Sequence, residues 1–359
     1  MAGETSDLMS FVASTGGERK LRVEENLGGG FVRLRVAEAE RRQAKHDIRC
    51  VEDAAVELLR NARDAGAKHI FLASSRTGDE RTLTILDDGV GIPENMHERV
   101  FDARVTSKLD TMRMDRWGVH GRGMALFSIR ENAKSACIVA SAEGKGTSLQ
   151  VAFDTSELTE RADQSTWPTV TTDDDGKLTL ASGPHNVVRA CCDFALEEHD
   201  SCDVYVGSPA DIVATARRRM RPYVGNNWSL FAADLNEFGI LERLVVAADA
   251  RELAHVAASV GLVISERTAH RIISGEITPS VSVYKRLTGD GKQTGPSEVD
   301  LLRDRRALRV SNDDRTEFSQ IMERDFAYLA DRYYLSLASD PVVRVSRGKV
   351  TVTFKVLED

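Results

Sequence analysis

A chain of 359 residues that is 42% hydrophobic and 29% charged has the composition of a globular protein and is long enough for two or three domains. Its net charge of −8 disfavours a protein whose whole surface coats nucleic acid, although a local basic face stays open. The sequence has no apolar run near the roughly 20 residues of a membrane-spanning helix, and its first residues lack the basic-then-apolar pattern of a secretory signal. We therefore expect a cytoplasmic protein that does not bind membranes.

Two other features of the composition limit the choice of function. Basic clusters at 216–222 and 303–309 are interpreted as solvated helix faces, with a nucleic-acid contact as the alternative. The five cysteines are odd in number and include no CxxC pair, which argues against a disulfide framework and a tetrahedral zinc site. We expect reduced thiols, most of them in the core.

The first strongly periodic segment predicts a helix over 51–65. Its apolar residues recur every three or four positions, and Gly66 stands where a helix is capped. Three polar residues nevertheless share one flank of this helix, namely Glu57, Asn61 and Asp64. A helix that only covers a core has no need of such a row, so the row requires a functional explanation.

Strands and a second helix follow in an order that predicts a sheet. Alternating segments at 69–75 and 81–87 form a predicted hairpin, a glycine-rich region and a helix at 124–133 come next, and two strands follow at 136–142 and 147–153. This order predicts an open mixed or antiparallel sheet with its helices on one face.

Several glycine-rich boxes lie in this region, and they indicate phosphate handling because glycine lets backbone N–H groups approach negative oxygens. The box at 118–123 lacks the spacing of a dinucleotide-binding motif and lies outside a βαβ unit, so we reject a Rossmann site. The segment 288–295 likewise fails the phosphate-loop pattern and is interpreted as a surface loop.

Five motifs in this order resemble the ATP-binding domain of the GHKL superfamily, which contains gyrase B subunits, ninety-kilodalton heat-shock chaperones, histidine kinases and mismatch-repair MutL proteins. The motifs are ELLRNARDAGA at 57–67, DDGVGI at 87–92, VTSKL at 105–109, GVHGRGMALFSI at 118–129 and GKGT at 144–147. The resemblance covers residues 25–155 and looks nearest to MutL, with type IIB topoisomerase B subunits next. It implies a Bergerat-type α/β sandwich, in which a mixed, largely antiparallel sheet carries helices on one face.

The resemblance also implies a role for the polar row of the first helix. In the family, the asparagine of this helix binds Mg²⁺, and the glutamate four residues earlier orients the water that attacks the γ-phosphate of ATP. These positions are Asn61 and Glu57 here, and their separation puts both on one helix face. Histidine kinases typically lack the glutamate, so Glu57 favours ATP hydrolysis over phosphoryl transfer to a protein. The alternative for Glu57 is a solvent-facing charge.

The other motifs are assigned to the nucleotide by the same resemblance. Asp87 matches the aspartate that binds the adenine amino group, and Gly91 matches the glycine that leaves room for the base. Gly121 and Gly123 match the lid glycines whose amides meet the phosphates, and Thr147 matches the threonine of the last box. The complete set expected to contact ATP is Asn61, Asp64, Asp87, Gly89, Gly91, Ile92, Lys108, Gly118, Gly121, Arg122, Gly123, Met124 and Thr147.

Five positions in these motifs have alternative interpretations or differ from the MutL pattern. Lys108 either neutralises phosphate charge or is an exposed lid residue, and His120 is interpreted as a lid side chain in preference to a catalytic group. Asp88 stands where MutL has asparagine and is interpreted as a loop cap. Arg122 and Gly123 replace the glutamate and alanine of MutL, which brings the box closer to the kinases and topoisomerases.

The C-terminal half shows fewer patterns. The segment 253–280 resembles the helix-turn-helix of Cro-type repressors, in which Ser265 would cap the second helix and Arg267, His270 and Arg271 would face DNA. An ordinary helical hairpin is the favoured alternative, and a small helical insert like that of type IIB topoisomerase B subunits is another. The last predicted elements are a helix near 317–337 and strands within 342–356.

Together these observations predict a domain plan and a function. We expect a strap or tail at 1–24 with a hinge at Gly28–Gly30, a GHKL-type ATP-binding domain at 25–155, a linker at 156–185, and a mixed α+β region at 186–359. The expected function is an Mg²⁺-dependent ATPase that acts as a conformational switch on a protein or duplex DNA client and forms an ATP-dependent homodimer. The alternative is an ATP-binding regulatory module, or a histidine-kinase-like phosphotransferase, with little hydrolysis of its own.

Overall fold

The chain is described by a computed structural model that covers residues 23–107, 113–120, 123–161, 163–173, 176–221, 235–289, 312–333, 335–346 and 349–357. It divides into two compact units, Met1–Gly291 and Lys292–Asp359. The predicted lid residues Lys108, Gly121 and Arg122 lie outside the described residues, as do residues 1–22 of the strap predicted at 1–24 and the basic cluster at 303–309.

The described chain begins with a β-hairpin, in which β1 (Val23–Gly28) pairs antiparallel with β2 (Phe31–Leu34). Gly29 and Gly30 form its two-residue turn, and both have the positive φ (58° and 81°) that a type I′ turn requires. The glycines predicted to be a hinge are therefore the tight turn of a hairpin. Helix α1 (Glu38–Asp47) follows, and only Ala44 of its residues is buried.

Helix α2 (Val51–Asp64) forms where the apolar spacing predicts it. Val51, Ala54 and Leu59 are fully buried along its inner face, and burial of a leucine side chain contributes about 2 kcal/mol. Gly66, two residues after the end of the helix, adopts φ 76° and donates its N–H to the carbonyl of Arg63 at 2.9 Å, which terminates the helix.

A five-stranded sheet lies against α2. Its strands stand in the order β12-β3-β4-β9-β8, and every pairing is antiparallel except that of β12 with β3. Ile70 and Leu72 on β3 share a core with α2, whereas Phe71 and Ala73 point to the opposite face. The strands are β3 (His69–Thr77), β4 (Glu80–Asp87), β8 (Ser135–Ser141), β9 (Thr147–Asp154) and β12 (Asp203–Gly207).

The α2 side of the sheet also carries α3 (Ala125–Asn132) and α4 (Val187–Glu197), which share one hydrophobic core with α2. This layer and the mixed sheet form the α/β sandwich that the sequence predicts. Short strands surround it, namely β5 (Val105–Thr106), β6 (Arg113–Asp115), β7 (Gly118–His120), β10 (Thr169–Thr172) and β11 (Leu178–Ser182).

Helices from later in the chain cover the second face of the sheet. They are α5 (Pro209–Met220), α6 (Arg243–Val246), α7 (Ala250–Ser259) and α8 (Glu266–Ile273), and they form a second core with Phe71, Leu86 and Tyr205. Two strand side chains bind the turn between α7 and α8: Ser148 Oγ donates to the carbonyl of Val260 at 2.7 Å, and Gln150 Nε2 donates to that of Gly261 at 3.0 Å. The helix pair predicted within 253–280 thus forms and is docked on the sheet by its turn.

The basic cluster at 216–222 differs from a simple solvated face. Arg217 donates to the carbonyls of Leu244 and Ala247 at 2.7 and 2.9 Å, and Arg219 lies over the Tyr205 ring at 5.5 Å. These two arginines therefore pack α5 against its neighbours, which leaves Arg218 and Arg221 as the exposed cations of the described part of the cluster.

All five cysteines are free, as expected. Cys191, Cys192 and Cys202 are buried, and burial raises the pKa of Cys192 and of Cys202 to about 12, so these thiols are protonated at neutral pH.

The first unit ends with α9 (Val283–Thr288), and the second unit is built from α10 (Asn312–Tyr333) and a hairpin of β13 (Leu337–Ser346) and β14 (Lys349–Val356). Within the second unit, Phe326 of the helix stacks on Phe354 of the hairpin at 4.9 Å. Among the described residues, the helices are all too short or too polar to cross a membrane.

Candidate active site

A cavity of about 610 Å³ opens between α2 and the sheet, with α1 and α3 completing its wall. This volume is within the range of small-molecule sites. The predicted site residues on its wall are Glu57, Asn61, Asp87, Gly91, Ile92, Gly123, Met124 and Thr147. Residues from four separate motifs, which span 90 positions of the chain from Glu57 to Thr147, are thus collected around one space.

Three described site residues lie elsewhere. Asp64 is not part of the cavity wall; its Oδ1 accepts from Arg63 Nε at 2.8 Å, so the third member of the polar row is part of an ion pair. Gly89 donates its N–H to Asp87 Oδ1 at 2.8 Å and shapes the loop without lining the cavity. Gly118 opens strand β7 and pairs with Asp115.

Asn61 presents a buried polar group to the cavity. Its Nδ2 atom has no hydrogen-bond partner among the residues that the structure describes. A buried amide without a partner is costly, and polar groups of this kind are usually satisfied by a ligand, an ion or water. Rotation of the amide turns either Oδ1 or Nδ2 toward that ligand, so Asn61 suits a cation as well as an acceptor.

Glu57 is held by an arginine one helical turn away. Glu57 Oε1 accepts from Arg60 Nη1 at 2.5 Å, and the Arg60 side chain is only 3% exposed. Arg60 also donates to both carboxylate oxygens of Asp115, at 2.9 and 3.0 Å. The guanidinium therefore fixes the Glu57 carboxylate and joins it to the hairpin at 113–120.

The 113–120 hairpin is anchored at a second point. Arg63 of α2 donates to Asp115 Oδ2 at 3.2 Å and to Glu198 Oε1 at 2.5 Å. Trp117 in the hairpin turn stacks on Phe194 of α4, with ring centroids 5.8 Å apart. Charge pairs and an aromatic contact thus hold this hairpin against α2 and α4.

Asp87 lies on the cavity wall at the side of the sheet. It is 5% exposed, stands at the end of β4 and lies directly across from Thr147 on β9. Thr147 Oγ1 is 3.1 Å from Ser141 Oγ, which accepts from the N–H of Ile92 at 2.8 Å. A buried carboxylate on the wall of a cavity can accept from an exocyclic amine or a bound water.

The glycines near Asp87 are required by close approach of the backbone. A Cβ at Gly91 would stand 1.9 Å from the carbonyl oxygen of Ala142, and a Cβ at Gly146 would stand 2.1 Å from that of Asp87. Both glycines also have positive φ, 74° and 80°. Gly91 is therefore needed for two loops to cross, a reason additional to the expected space for a base.

Asp88 caps a neighbouring strand, in line with its interpretation as a cap. Its Oδ1 accepts from the N–H groups of Lys68 and His69 at 2.7 and 2.8 Å, and its Oδ2 lies 2.7 Å from His69 Nδ1. Burial alone would raise the pKa of Asp88, but the hydrogen bonds from His69 and Lys68 outweigh it and hold the pKa below its ordinary value.

Sequence reasoning missed several residues on the cavity wall. Arg60 is three residues from Glu57 on the same helix, so helical spacing alone could have identified it. Arg104 gave no sequence signal, because its place in the cavity depends on pairing between distant segments. Helix α1 contributes three polar residues whose spacing was not used in the prediction, Glu40, Gln43 and Asp47.

The described side chains fit a cation that takes only part of its coordination shell from the protein and the rest from a bound nucleotide and water. No group of three or more His, Cys, Asp or Glu side chains in the described part of the chain could hold a metal ion. Mg²⁺ commonly takes only one or two protein ligands and completes its shell with phosphate oxygens and water. The unpartnered Asn61 amide beside Glu57 is compatible with that mode of binding.

The comparisons with known proteins agree with this geometry. A search of curated proteins finds no match to the chain. Residues 46–157, which contain α2, β3, β4, α3, β8 and β9, match the family model described as "Histidine kinase-, DNA gyrase B-, and HSP90-like ATPase". This match supports the GHKL superfamily and ATP binding for that segment, and it leaves the choice between an ATPase and a kinase module to the residues of the site.

Proposed function

We propose that the chain is an ATP-hydrolysing conformational switch of the GHKL type, with ATP bound in the cavity between α2 and the sheet. The observation that carries the proposal is the presence of Glu57, Asn61, Asp87 and Thr147 on one cavity wall inside the segment that matches the family model. Asp87 and Thr147 would receive the adenine, and the α2 end would receive the phosphates.

The chain's own residues would perform the following steps. Asn61 would hold the metal and, through it, the phosphates; Mg²⁺ supplies charge neutralisation when it is bound with the nucleotide. Glu57 would accept a hydrogen bond from the attacking water and orient it in line with the γ-phosphate. The contact from Arg60 keeps the Glu57 carboxylate in one position, which favours this orienting role.

The experiment that tests nucleotide binding compares the wild type with Asp87→Asn. By isothermal titration calorimetry, we expect ATP affinity to fall about 10-fold or more, because a buried acceptor of the adenine amine becomes partly a donor. Ser156→Ala, on the chain after β9 and away from the cavity wall, is the control and should bind ATP like the wild type. Absence of ATP binding by the wild type would refute the proposal.

An ATP-binding regulator or phosphotransferase is the alternative within the same superfamily. The two differ at Glu57, since a group that positions water serves hydrolysis. By analogy with the superfamily, we also propose that ATP favours a homodimer. Light scattering with and without a non-hydrolysable ATP analogue tests this proposal, which predicts a doubled mass only with the analogue.

Duplex DNA is a candidate client through the outer face of α8. Arg267, His270 and Arg271 are exposed there, and Ser265 caps the helix by accepting from the N–H of Thr268 at 3.1 Å. Two carboxylates, Glu266 and Glu276, border the same surface and reduce its positive charge. Fluorescence anisotropy at low salt tests this contact: we expect binding that weakens with salt and with Arg267→Ala, and no binding would rule it out.

A further inference from the structure

We infer that Arg104 is a ligand for the phosphate groups of the nucleotide, an inference that rests on the ATP-binding function proposed above. Arg104 precedes β5 and lies on the cavity wall beside Thr106 and Gly123. Its side chain is only 5% exposed. A guanidinium buried at the edge of a ligand cavity needs acceptors for its N–H groups.

The protein satisfies the Arg104 guanidinium only in part. Nη2 donates to Oε1 of Glu40 on α1 at 2.7 Å. The Nε atom is buried and has no hydrogen-bond partner among the described residues. Because a buried charged donor without an acceptor is unfavourable, an oxygen-rich anion in the cavity would stabilise this side chain. The planar guanidinium donates in parallel pairs, which matches the geometry of phosphate oxygens.

The backbone of Arg104 is strained and firmly held. Its φ is 63°, a left-handed value that few residues other than glycine and asparagine adopt. Two backbone hydrogen bonds maintain it: Arg104 N–H donates to the carbonyl of Gly123 at 2.7 Å, and Leu34 N–H donates to the carbonyl of Arg104 at 3.0 Å. Strain that is compensated in this way is often found at ligand-binding positions.

The charge of the cavity wall explains why a cation is needed here. Among the residues that the structure describes, four carboxylates line the cavity, those of Glu40, Asp47, Glu57 and Asp87, together with two arginines. Arg60 already binds Glu57 and Asp115. Among the described lining residues, Arg104 is therefore the cation best placed to offset the charge of a triphosphate.

The position of Arg104 favours the phosphates over the base. The adenine is proposed to bind Asp87 and Thr147, whereas Arg104 is hydrogen-bonded to Gly123, which directly precedes Met124 and the N-terminal end of α3. That end of α3 attracts negative charge through its free N–H groups. In this account Glu40 occupies the guanidinium in the absence of nucleotide and competes with phosphate for it.

Because Glu40 and phosphate would compete for the Arg104 guanidinium, substitutions of Arg104 and of Glu40 should have opposite effects on ATP affinity. Arg104→Gln should weaken ATP binding about 10-fold or more and leave adenosine binding within about twofold of the wild type, because only ATP carries phosphates. The ATP affinity of Arg104→Lys should fall between those of Arg104→Gln and the wild type, since lysine keeps the charge and loses the paired donors. Glu40→Gln should tighten ATP binding several-fold, because it removes both a competing acceptor and a negative charge.

The measurement is calorimetric titration of each full-length variant with ATP and with adenosine, after circular dichroism has verified folding. Arg130→Gln is the control, because Arg130 is an exposed arginine of α3 and its replacement should not affect the binding of either ligand.

If Arg104→Gln does not fold, the ATP affinity of Glu40→Gln decides the test. The inference is wrong if Arg104→Gln weakens ATP and adenosine equally, if it changes neither, or if Glu40→Gln weakens ATP binding. Failure of the wild type to bind ATP would instead refute the proposed function and this inference together.

Discussion

Arg60 connects the expected catalytic carboxylate to a hairpin more than 50 residues away in the chain. Its guanidinium contacts Glu57 and Asp115, whose side chains are 21% and 10% exposed. Two carboxylates at this depth depend on a counter-charge, because an unpaired charge in a poorly solvated site is unfavourable. Arg60 therefore has a structural role as well as the proposed role in positioning Glu57.

Replacement of Arg60 tests the structural role. We expect Arg60→Gln to lower the free energy of unfolding by about 3 kcal/mol, because Glu57 and Asp115 lose their shared partner. Urea denaturation measures the change. Arg33→Gln is a matched control, since Arg33 also binds two carboxylates but is 33% exposed, and its loss should cost about 1 kcal/mol or less. Equal effects of the two substitutions would contradict this interpretation.

Alanine substitutions at Gly91 and Gly144 distinguish the cost of backbone strain from the cost of a steric clash. Both have positive φ, 74° and 72°, but a Cβ at Gly91 would overlap the Ala142 carbonyl at 1.9 Å, whereas a Cβ at Gly144 would meet nothing within 4 Å. We expect Gly144→Ala to cost about 1 kcal/mol of stability and Gly91→Ala at least about 2 kcal/mol more. Thermal and urea unfolding provide the comparison, and similar costs at the two positions would show that the loops do not cross as closely as described.

Among the secondary-structure elements, the start of β3 is hydrogen-bonded to the loop that follows β4 through the Asp88 carboxylate. Because its pKa is lowered by folding, the unfolded chain binds the proton first as the pH falls. The stabilisation is therefore complete above the ordinary pKa of 3.8 and is lost as the pH falls through the lower folded value. This contribution should be visible as a pH-dependent difference between the wild type and a variant.

Asp88→Asn should lower the free energy of unfolding by about 1 kcal/mol at pH 7, since the hydrogen bonds then go to a neutral amide. The difference from the wild type should shrink as the pH is lowered below about 4, where the Asp88 carboxylate of the unfolded wild type begins to be protonated before that of the folded protein. Chemical denaturation at several pH values measures it. Asp79→Asn, in an exposed turn, should show no comparable loss. A difference that stays constant at low pH would mean that the Asp88 charge is not involved.

The elements that the sequence predicted are those with a strong internal pattern. Helix α2 and strands β3 and β4 were found because their apolar residues repeat at the helical or strand period. Helix α1 was missed because only one of its residues is buried, so it has no apolar stripe. The 113–120 hairpin was missed because its strands are three residues long, too short for an alternating pattern.

In the molecule as a whole, later segments of the chain pack against the ATP-binding fold and add a strand to its sheet. Strand β12 extends the sheet by pairing parallel with β3, and helices α5 to α8 cover the face opposite α2. Sequence patterns predicted several of these elements individually. Their placement depends on contacts such as Ser148 with Val260, 112 residues apart, which no local pattern reports.

In the candidate site too, sequence patterns identify individual residues but not their contacts with distant segments. Motif order identified Glu57, Asn61, Asp87 and Thr147, which the structure collects around one cavity. The ion pairs of Arg60 and the left-handed backbone of Arg104 depend on distant segments and appear only in three dimensions. Local spacing predicts which side chains a motif offers, whereas their partners follow from the fold.

The most direct test of the central claim is steady-state hydrolysis of Mg-ATP by the wild type, Glu57→Ala and Asn61→Ala, with nucleotide binding measured in parallel. We expect the wild type to hydrolyse ATP slowly, Glu57→Ala to bind ATP but lose at least about 100-fold in hydrolysis, and Asn61→Ala to lose Mg²⁺-dependent binding. If Glu57→Ala hydrolyses ATP at the wild-type rate, Glu57 does not orient the attacking water. If the wild type binds ATP and does not hydrolyse it, the claim of a hydrolytic switch is contradicted.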